Sequence, residues 1–531
     1  MNPLGRGPFF FLTLLLLLGL VGAVLLTPVV MTSDGYSHLY NSAILNRLLA
    51  GDARVREVYS IQSVLVPNWL ATALLSLFIL ILPPVLGLKL FFLFVVLATL
   101  WGMLYWARSI TAWPPEETGL YIAIFLPFAL SGFITLGFLA MSLGFALFCF
   151  VMGTAMRYQL QPPLRVQLLQ AALLVATFLC HPIPLVLSGV LILILLCFLT
   201  PKLPARQCAV FWVRAAWPWV PAALLLLLSR SKVTGDGKAD WGLSSMRDGI
   251  DRLLNSTAYY ADLSPNFRGQ VLYLVLLAVL AAAVFTALRE PQEPGERAIR
   301  KSLFWFVVAC LTLTVVIPDE IGGAGYLRLR FMYGAALGIV FLAVSFRVLR
   351  LNHLRLAAWL AFLYMSLYTA DYVLASRRVG PMLREVQSAF RRIPPSSRVL
   401  LVGYNSTPGC KGLPLIARTL PEEHFAEAPV GTAATILLNN YEASVGHFPL
   451  AYRFRLVPGA GSMKNVEFAQ AFLEGHPELI DDVVVWGHRR CSEIEPVNSA
   501  AGLESELKKR GFTLQFEDQG VSRVAVYNAP H

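Results

Sequence analysis

The chain has 531 residues, 56% of them hydrophobic and only 14% charged, with a formal net charge of +11. Soluble proteins carry about 25% charged residues, so a soluble globular protein is excluded, and repeated apolar runs of roughly 20 residues mark a polytopic α-helical membrane protein. The positive balance is not a nucleic-acid signal, because Lys and Arg gather in cytoplasmic loops and near anionic headgroups of the lipid bilayer.

The first apolar run covers about Phe9 to Val30. It is longer than a signal-peptide core and no small-x-small cleavage site follows it, which predicts a retained transmembrane helix. Arg6 is the only preceding side-chain charge and places the N-terminus inside. Directly after this run comes TSDGYSHLYNSAILNRLLAGDARVREV, Thr32 to Val58. Asp34 lies on a Ser-Asp-Gly turn. From Tyr36 to Leu49 the pattern is amphipathic, with Leu39, Ala43, Leu45, Leu48 and Leu49 apolar and His38, Asn41, Asn46 and Arg47 polar. That segment is too short and too polar to cross a bilayer. It predicts a helix lying in the interface, its apolar face against lipid or other helices, with Asp34 and His38 near the membrane surface.

Further apolar segments fall near 64–82, 87–107, 119–136, 138–156, 164–180, 183–199, 209–228, 270–288, 301–318, 331–348 and 354–375. Pro67, the Pro83-Pro84 pair, Pro127, Pro182 and Pro184 mark breaks, since proline removes a helix donor and clashes with the preceding turn. Basic residues occupy every second later connection: Arg157 and Arg165; Lys202 and Arg206; Arg289, Arg297, Arg300 and Lys301; Arg347, Arg350 and Arg355. Placed in the cytoplasm, they send outward the turn near His181, the loops 231–268 and 318–330, and everything after Ser376. The crossings must then be odd in number, about eleven, with one segment between 64 and 156 failing to cross.

The apolar character stops near Asp371. The chain divides into a transmembrane domain, 1–380, which includes the outer interfacial segment 31–63, and an extracytoplasmic domain, 381–531. The second reads as soluble α/β from about Arg384, and about 140 residues suffice for its own core. Strands are predicted at Arg398–Gly403, Tyr452–Val457, Val483–Trp486, Thr513–Glu517 and Arg523–Tyr527, with a helix over Leu503–Arg510 ended by Gly511. Asp518-Gln519-Gly520 makes a hairpin turn between the last two strands. The chain's seven cysteines show no CxxC or CxxH spacing, which argues against structural zinc. Cys410 and Cys491 are the two in the outer domain; an oxidising compartment would allow them to pair, and otherwise they are buried thiols.

Four places carry candidate chemistry. Asp34, a carboxylate beside the end of a transmembrane helix, is costly unless solvated, paired or used. It is a candidate general base or a helix N-cap. His38, one helical turn on, is a second proton carrier, a metal ligand or a satisfied interfacial side chain. His181, in CHPIP within an apolar stretch, faces a cavity or stabilises a kink by a hydrogen bond. The stretch PDEIGGAGYLRLR, Pro318 to Arg330, holds Asp319, Glu320, three glycines, Tyr326, Arg328 and Arg330. The arginines could clamp a phosphate or snorkel to the headgroups. The GGAG run is not a nucleotide loop, as the Lys-Ser/Thr that would follow it is absent. The loop Ser231–Arg268, with Asp236, Asp240, Asp248, Asp251, Asp262 and Tyr259-Tyr260, covers an acceptor site or is solvated, with an interfacial helix near Met246–Leu254. RVLLVGYNSTPG lacks GxGxxG, so no dinucleotide site is expected there.

A first transmembrane helix, an acid immediately outside it in TSDGYSHLYN, interfacial helices, many further spans and an outer C-terminal α/β domain resemble the GT-C superfamily of membrane glycosyltransferases, as a divergent member. The resemblance implies a polyprenyl-phosphate-linked sugar as donor, an acceptor that the sequence does not name, and residence in a bacterial cytoplasmic membrane. It maps the catalytic acid of the first outer loop onto Asp34, with His38 beside it, and the lipid-phosphate site onto Arg328 and Arg330, with Tyr326. Asp34 is followed by Gly35, with no Asp-x-Asp, so a divalent metal is not favoured and no cofactor is expected. Two other classes stay open: a transporter built on broken helices, and a non-catalytic envelope-assembly protein with an outer binding domain.

Overall fold

A computed structural model of the chain describes residues 8–32, 34–62, 65–158, 162–200, 204–229, 246–247, 268–287, 294–319, 326–345, 351–404, 435–439, 449–453, 465–488, 498–519 and 522–530. The long apolar runs form the helices expected of them. Among the described residues, seven helices are long and apolar enough to cross a membrane. They are α1 (Pro8–Leu26), α5 (Pro84–Ile110), α8 (Leu139–Arg157), α10 (Pro182–Leu199), the pair α11 (Ala205–Ala216) and α12 (Val220–Ser229), α14 (Pro294–Val316) and α15 (Leu327–Val344). Packed among them are α6 (Thr118–Ala129), α9 (Leu164–Cys180), α13 (Arg268–Ala287) and α16 (Leu351–Phe390). The expected count of about eleven includes these further legs. Two expected spans are broken. Segment 119–136 ends its helix at Ala129 after Pro127 and resumes as the single turn α7 (Gly132–Thr135). Pro218 interrupts the helical path between α11 and α12.

Between α1 and α5 the chain makes α2 (Gly35–Leu49), α3 (Ala53–Val58), β1 (Tyr59–Ile61) and α4 (Trp69–Ile81). Of these, α4 is apolar but, at 13 residues, short for a crossing. Its first end meets α9 where Asn68 N–H donates to the Cys180 carbonyl at 3.1 Å. Its last turn meets the start of α5, where Gly87 packs against Ile79. Both places lie at the end of the bundle where α1 finishes, because Lys89 near the start of α5 reaches the last carbonyls of α1. Ser42 Oγ and Asn46 Nδ2 of α2 donate to the carbonyls of Thr72 and Ser76, so the two helices lie side by side. Of the two surroundings expected for its apolar face, lipid or other helices, α2 has the second: it is buried nearly all round, Tyr36 to Ser42 included, because α4 and α5 cover it.

The C-terminal domain is a five-stranded mixed sheet in the order β3 (Ile436–Leu437), β2 (Arg398–Tyr404), β5 (Asp482–His488), β7 (Ser522–Asn528), β6 (Thr513–Gln519). β2 pairs in parallel with β3 and β5, while β7 is antiparallel to β5 and β6. The apolar run Val399–Val402 is fully buried, as expected of a central parallel strand. Helices α17 (Asn465–Gly475) and α18 (Asn498–Lys509) flank the sheet, and Gly511, at φ +84°, stops the second as its sequence implied.

One expected strand is different. Where Tyr452–Val457 was predicted, the strand is β4 (Leu450–Tyr452), and it pairs antiparallel with β1 of the interfacial segment, outside the main sheet. Residues 454–457 lie outside the described residues, as do Cys410 and Cys491. The same contact is sealed by two tyrosines. Leu437 N–H donates to the Tyr40 hydroxyl at 2.7 Å, and the Tyr59 hydroxyl donates to the Leu437 carbonyl.

Candidate active site

The turn between α1 and α2 carries Asp34, and its backbone groups are tied to several different elements. A helix end leaves its last carbonyls unsatisfied. Lys89 Nζ fills this gap, donating to Leu25 O at 2.9 Å and Thr27 O at 2.6 Å. Ser376 Oγ of α16 accepts from Val29 N–H at 3.2 Å and donates to Val29 O at 2.9 Å. Val30 N–H donates to the Tyr36 hydroxyl and Met31 N–H to that of Tyr372. Burial pushes the Tyr36 hydroxyl far above its ordinary pKa, against the pull of the Val30 bond, so it serves as a neutral acceptor. Asp34 N–H donates to Leu136 O at 3.1 Å. That approach needs Gly137, which sits at φ +84°, and a Cβ there would stand 2.6 Å from Gly35 N.

Asp34 takes the N-cap position of α2, but its side chain makes no capping hydrogen bond. The helix is closed from this end by backbone alone, with His38 N–H on Asp34 O at 3.1 Å. His38 is buried at 6% exposure, further in than a surface histidine would be.

The second half of the site comes from 317–330. Asp319 organises the start of α15: its carbonyl accepts from Leu327 N–H at 2.9 Å and its Oδ1 from Arg328 N–H at 3.3 Å. Tyr326 adopts φ +57°, a left-handed conformation uncommon for an aromatic residue. This puts its half-exposed ring 5.8 Å from that of Phe138. Arg328 is 2% exposed, and its Nε donates to Ile317 O at 2.9 Å, at the end of α14. Arg330 is 8% exposed. Neither arginine snorkels to the headgroups. Arg330 instead lies over the Phe138 ring, 5.3 Å from its centroid, with Nη1 3.0 Å from His181 Nε2. Both Asp319 and Asp34 act on its charge.

The structure therefore gathers Asp34, His181, Asp319 and Arg330 at one end of the bundle, with Tyr326 and Phe138 at its edge. Arg328 is engaged in joining α14 to α15. Glu320 and the acidic residues of the loop Ser231–Arg268 lie outside the described residues. Among the described residues, no group of three or more His, Cys, Asp or Glu side chains could hold a metal ion. Sequence reasoning missed Lys89, Gly137, Phe138, Tyr372 and Ser376. Lys89 had a signal, a lone charge inside an apolar run. The others had none, since their partners are distant in the chain.

What this corner can do is set an acid and a buried cation at the same end of the bundle. Such a pair can take a proton on one side and stabilise negative charge on the other. No protein-family model matches the sequence, and no curated protein matches it. The fold does have a counterpart. The crystal structure of ArnT from Cupriavidus metallidurans in the apo state superposes with a TM-score of 0.53, over 98% of this chain and 97% of that one, at 11% sequence identity. Helical bundle and outer domain are thus both shared, and the chain has the fold of that structure.

Proposed function

We propose that the protein is a membrane glycosyltransferase that moves a sugar from a polyprenyl-phosphate carrier to an acceptor on the extracytoplasmic face. The observation that carries this reading is that Asp34 and the buried Arg330, whose charge Asp34 and Asp319 favour, lie at the same end of a GT-C-like bundle. Asp34 takes the proton from an acceptor hydroxyl or amine as that atom attacks the anomeric carbon. The bond from carbon to phosphate oxygen breaks, and its electron pair stays on the leaving phosphate. Arg330 stabilises that charge in a water-poor setting, where a donor acts most strongly. Arg328 and Asp319 hold the start of α15 in place for it, Tyr326 lines the approach, and His38 supports the Asp34 turn.

Orientation follows from charge. Arg108, Arg157, Arg165, Arg300, Lys301 and Arg355 lie near helix ends at the opposite side of the bundle, which supports placing that side in the cytoplasm and the site outside. A lipid-carried donor suits an outer site.

The test is release of lipid phosphate from a panel of polyprenyl-phosphate sugars by purified wild type and Asp34→Asn. Wild type is expected to release it, and the variant to be slower by about 10²–10⁴-fold, the range for a lost general base. Equal rates would remove Asp34 from the mechanism. A transporter would show uptake without release.

A further inference from the structure

We infer that His181 is a second donor to the anionic group held by Arg330, presented as a neutral imidazole with its proton on Nε2. The inference rests on the proposed glycosyl transfer for the identity of the ligand as a carrier phosphate, while the donor geometry comes from the fold.

His181 occupies the N-cap of α10, and its Nδ1 accepts from Ile183 N–H at 3.2 Å. Pro182 and Pro184 flank Ile183 and have no N–H. Ile183 is therefore the one backbone donor in the first three positions of this helix. A backbone N–H can only donate, so Nδ1 is the bare nitrogen and the proton of the neutral ring sits on Nε2. That Nε2 stands 3.0 Å from Arg330 Nη1. A guanidinium also only donates. Two donors meet at hydrogen-bond distance, and neither can serve the other.

An anionic oxygen approaching this point accepts from both. Arg330 Nε adds a third donor, buried and without a hydrogen-bond partner among the described residues. Phe138 covers one face of the guanidinium, which confines its bonding to its own plane. The opposite tautomer would let Arg330 donate to Nε2, but it would set Nδ1–H against Ile183 N–H and strand an amide at the helix start. Several N–H donors converging on one spot suit the oxygens of a phosphate ester. As the glycosidic bond breaks, the electron pair remains on the phosphate oxygen, and both donors strengthen as its charge grows.

The experiment uses the full chain in nanodiscs. Polyprenyl monophosphate binding is measured for wild type and for His181→Ser, with inorganic phosphate and phosphatidylglycerol as competitors. Serine keeps an N-cap acceptor for Ile183 and withdraws the Nε2 donor. We expect the variant to melt like wild type and to bind polyprenyl monophosphate about tenfold more weakly, the loss typical of one hydrogen bond to a charged group. Equal affinity overturns the inference, whether or not transfer is seen. Displacement by phosphatidylglycerol or inorganic phosphate as readily as by the carrier would keep the donor pair and remove the carrier as its ligand, which counts against the proposed function alone. On wild type, ¹⁵N-histidine spectra are expected to show the Nε2–H tautomer at His181; the Nδ1–H tautomer would overturn the inference independently of any variant.

Discussion

The site end of the bundle and the outer domain are held by different means. Around Asp34 the ties are hydrogen bonds made by neutral hydroxyls and one lysine to backbone groups, nearly all of them buried. In the outer domain a regular sheet carries the structure, and charged pairs decorate it: Arg398 with Asp481 at 2.8 Å, Arg510 with Glu506 at 2.8 Å, Arg523 with Glu504 and Glu517. A half-exposed ion pair is worth about 0–1 kcal/mol. A buried carbonyl or amide stripped of its partner costs about 1–3 kcal/mol. The site end thus spends its polar contacts on position, and few of them can be lost without moving the acid.

Breaking this contrast starts at Gly137. Gly137→Ala forces a Cβ against the Asp34 and Gly35 amides at a φ that L-residues avoid. Transfer is expected to fall by about 10²-fold, the effect of misplacing a reacting group by an ångström. Hydrogen exchange in β2 and β5 should stay as in wild type; a parallel loss there would contradict the separation. Next is Lys89→Met, which strands the Leu25 and Thr27 carbonyls. We expect about 1–3 kcal/mol of lost stability, read as a lower melting temperature of the bundle, with turnover falling more than substrate affinity.

Tyr59→Phe probes the joint between the two regions. It removes the donor to Leu437 O, worth about 1 kcal/mol. Faster exchange at β3 and a few-fold slower transfer are expected; unchanged exchange would show that β1 and β4 hold the joint without it. The smallest effect is acidic and confined to the outer domain. Burial pushes the Asp481 carboxyl up, but the hydrogen bonds from Arg398 outweigh burial and hold it below the usual carboxylate range. A depressed carboxylate contributes stability in full above its unfolded value of about 3.9 and loses it as pH falls through the folded value. Unfolding of the outer domain below about pH 4 should therefore be steeper in wild type than in Asp481→Asn, as followed by tryptophan fluorescence.

The helices and most strands were legible because their signals are local. Apolar runs, Pro182 and Gly511 act within a few residues of themselves. The segment Val483–Trp486 reads as a buried strand from its own side chains. The path of α4 was not legible. Its composition is that of a crossing helix, and only its bond to Cys180 and the packing of Ile79 on Gly87 show that both its ends are on one side. The clamp of Tyr40 and Tyr59 on Leu437 spans nearly 400 positions of chain, and no periodicity announces it. Asp34, His181 and Arg330 each stood out as polar groups in apolar surroundings. Their meeting depended on the packing of α9, α10 and α15, which patterning does not specify.

Helix α16 runs for 40 residues, with Pro381 inside it. At 1.5 Å per residue that is roughly 60 Å, about twice the hydrocarbon thickness of a bilayer. Its first half stands among the transmembrane helices, Tyr372 and Ser376 grip the Asp34 turn partway along, and its far end delivers the chain to β2. The helix works as a ruler. The height of the acid above the lipid and the height of the outer domain above the acid are both counted in its turns, so a bilayer of different thickness would tilt or sink the two together and leave their spacing intact.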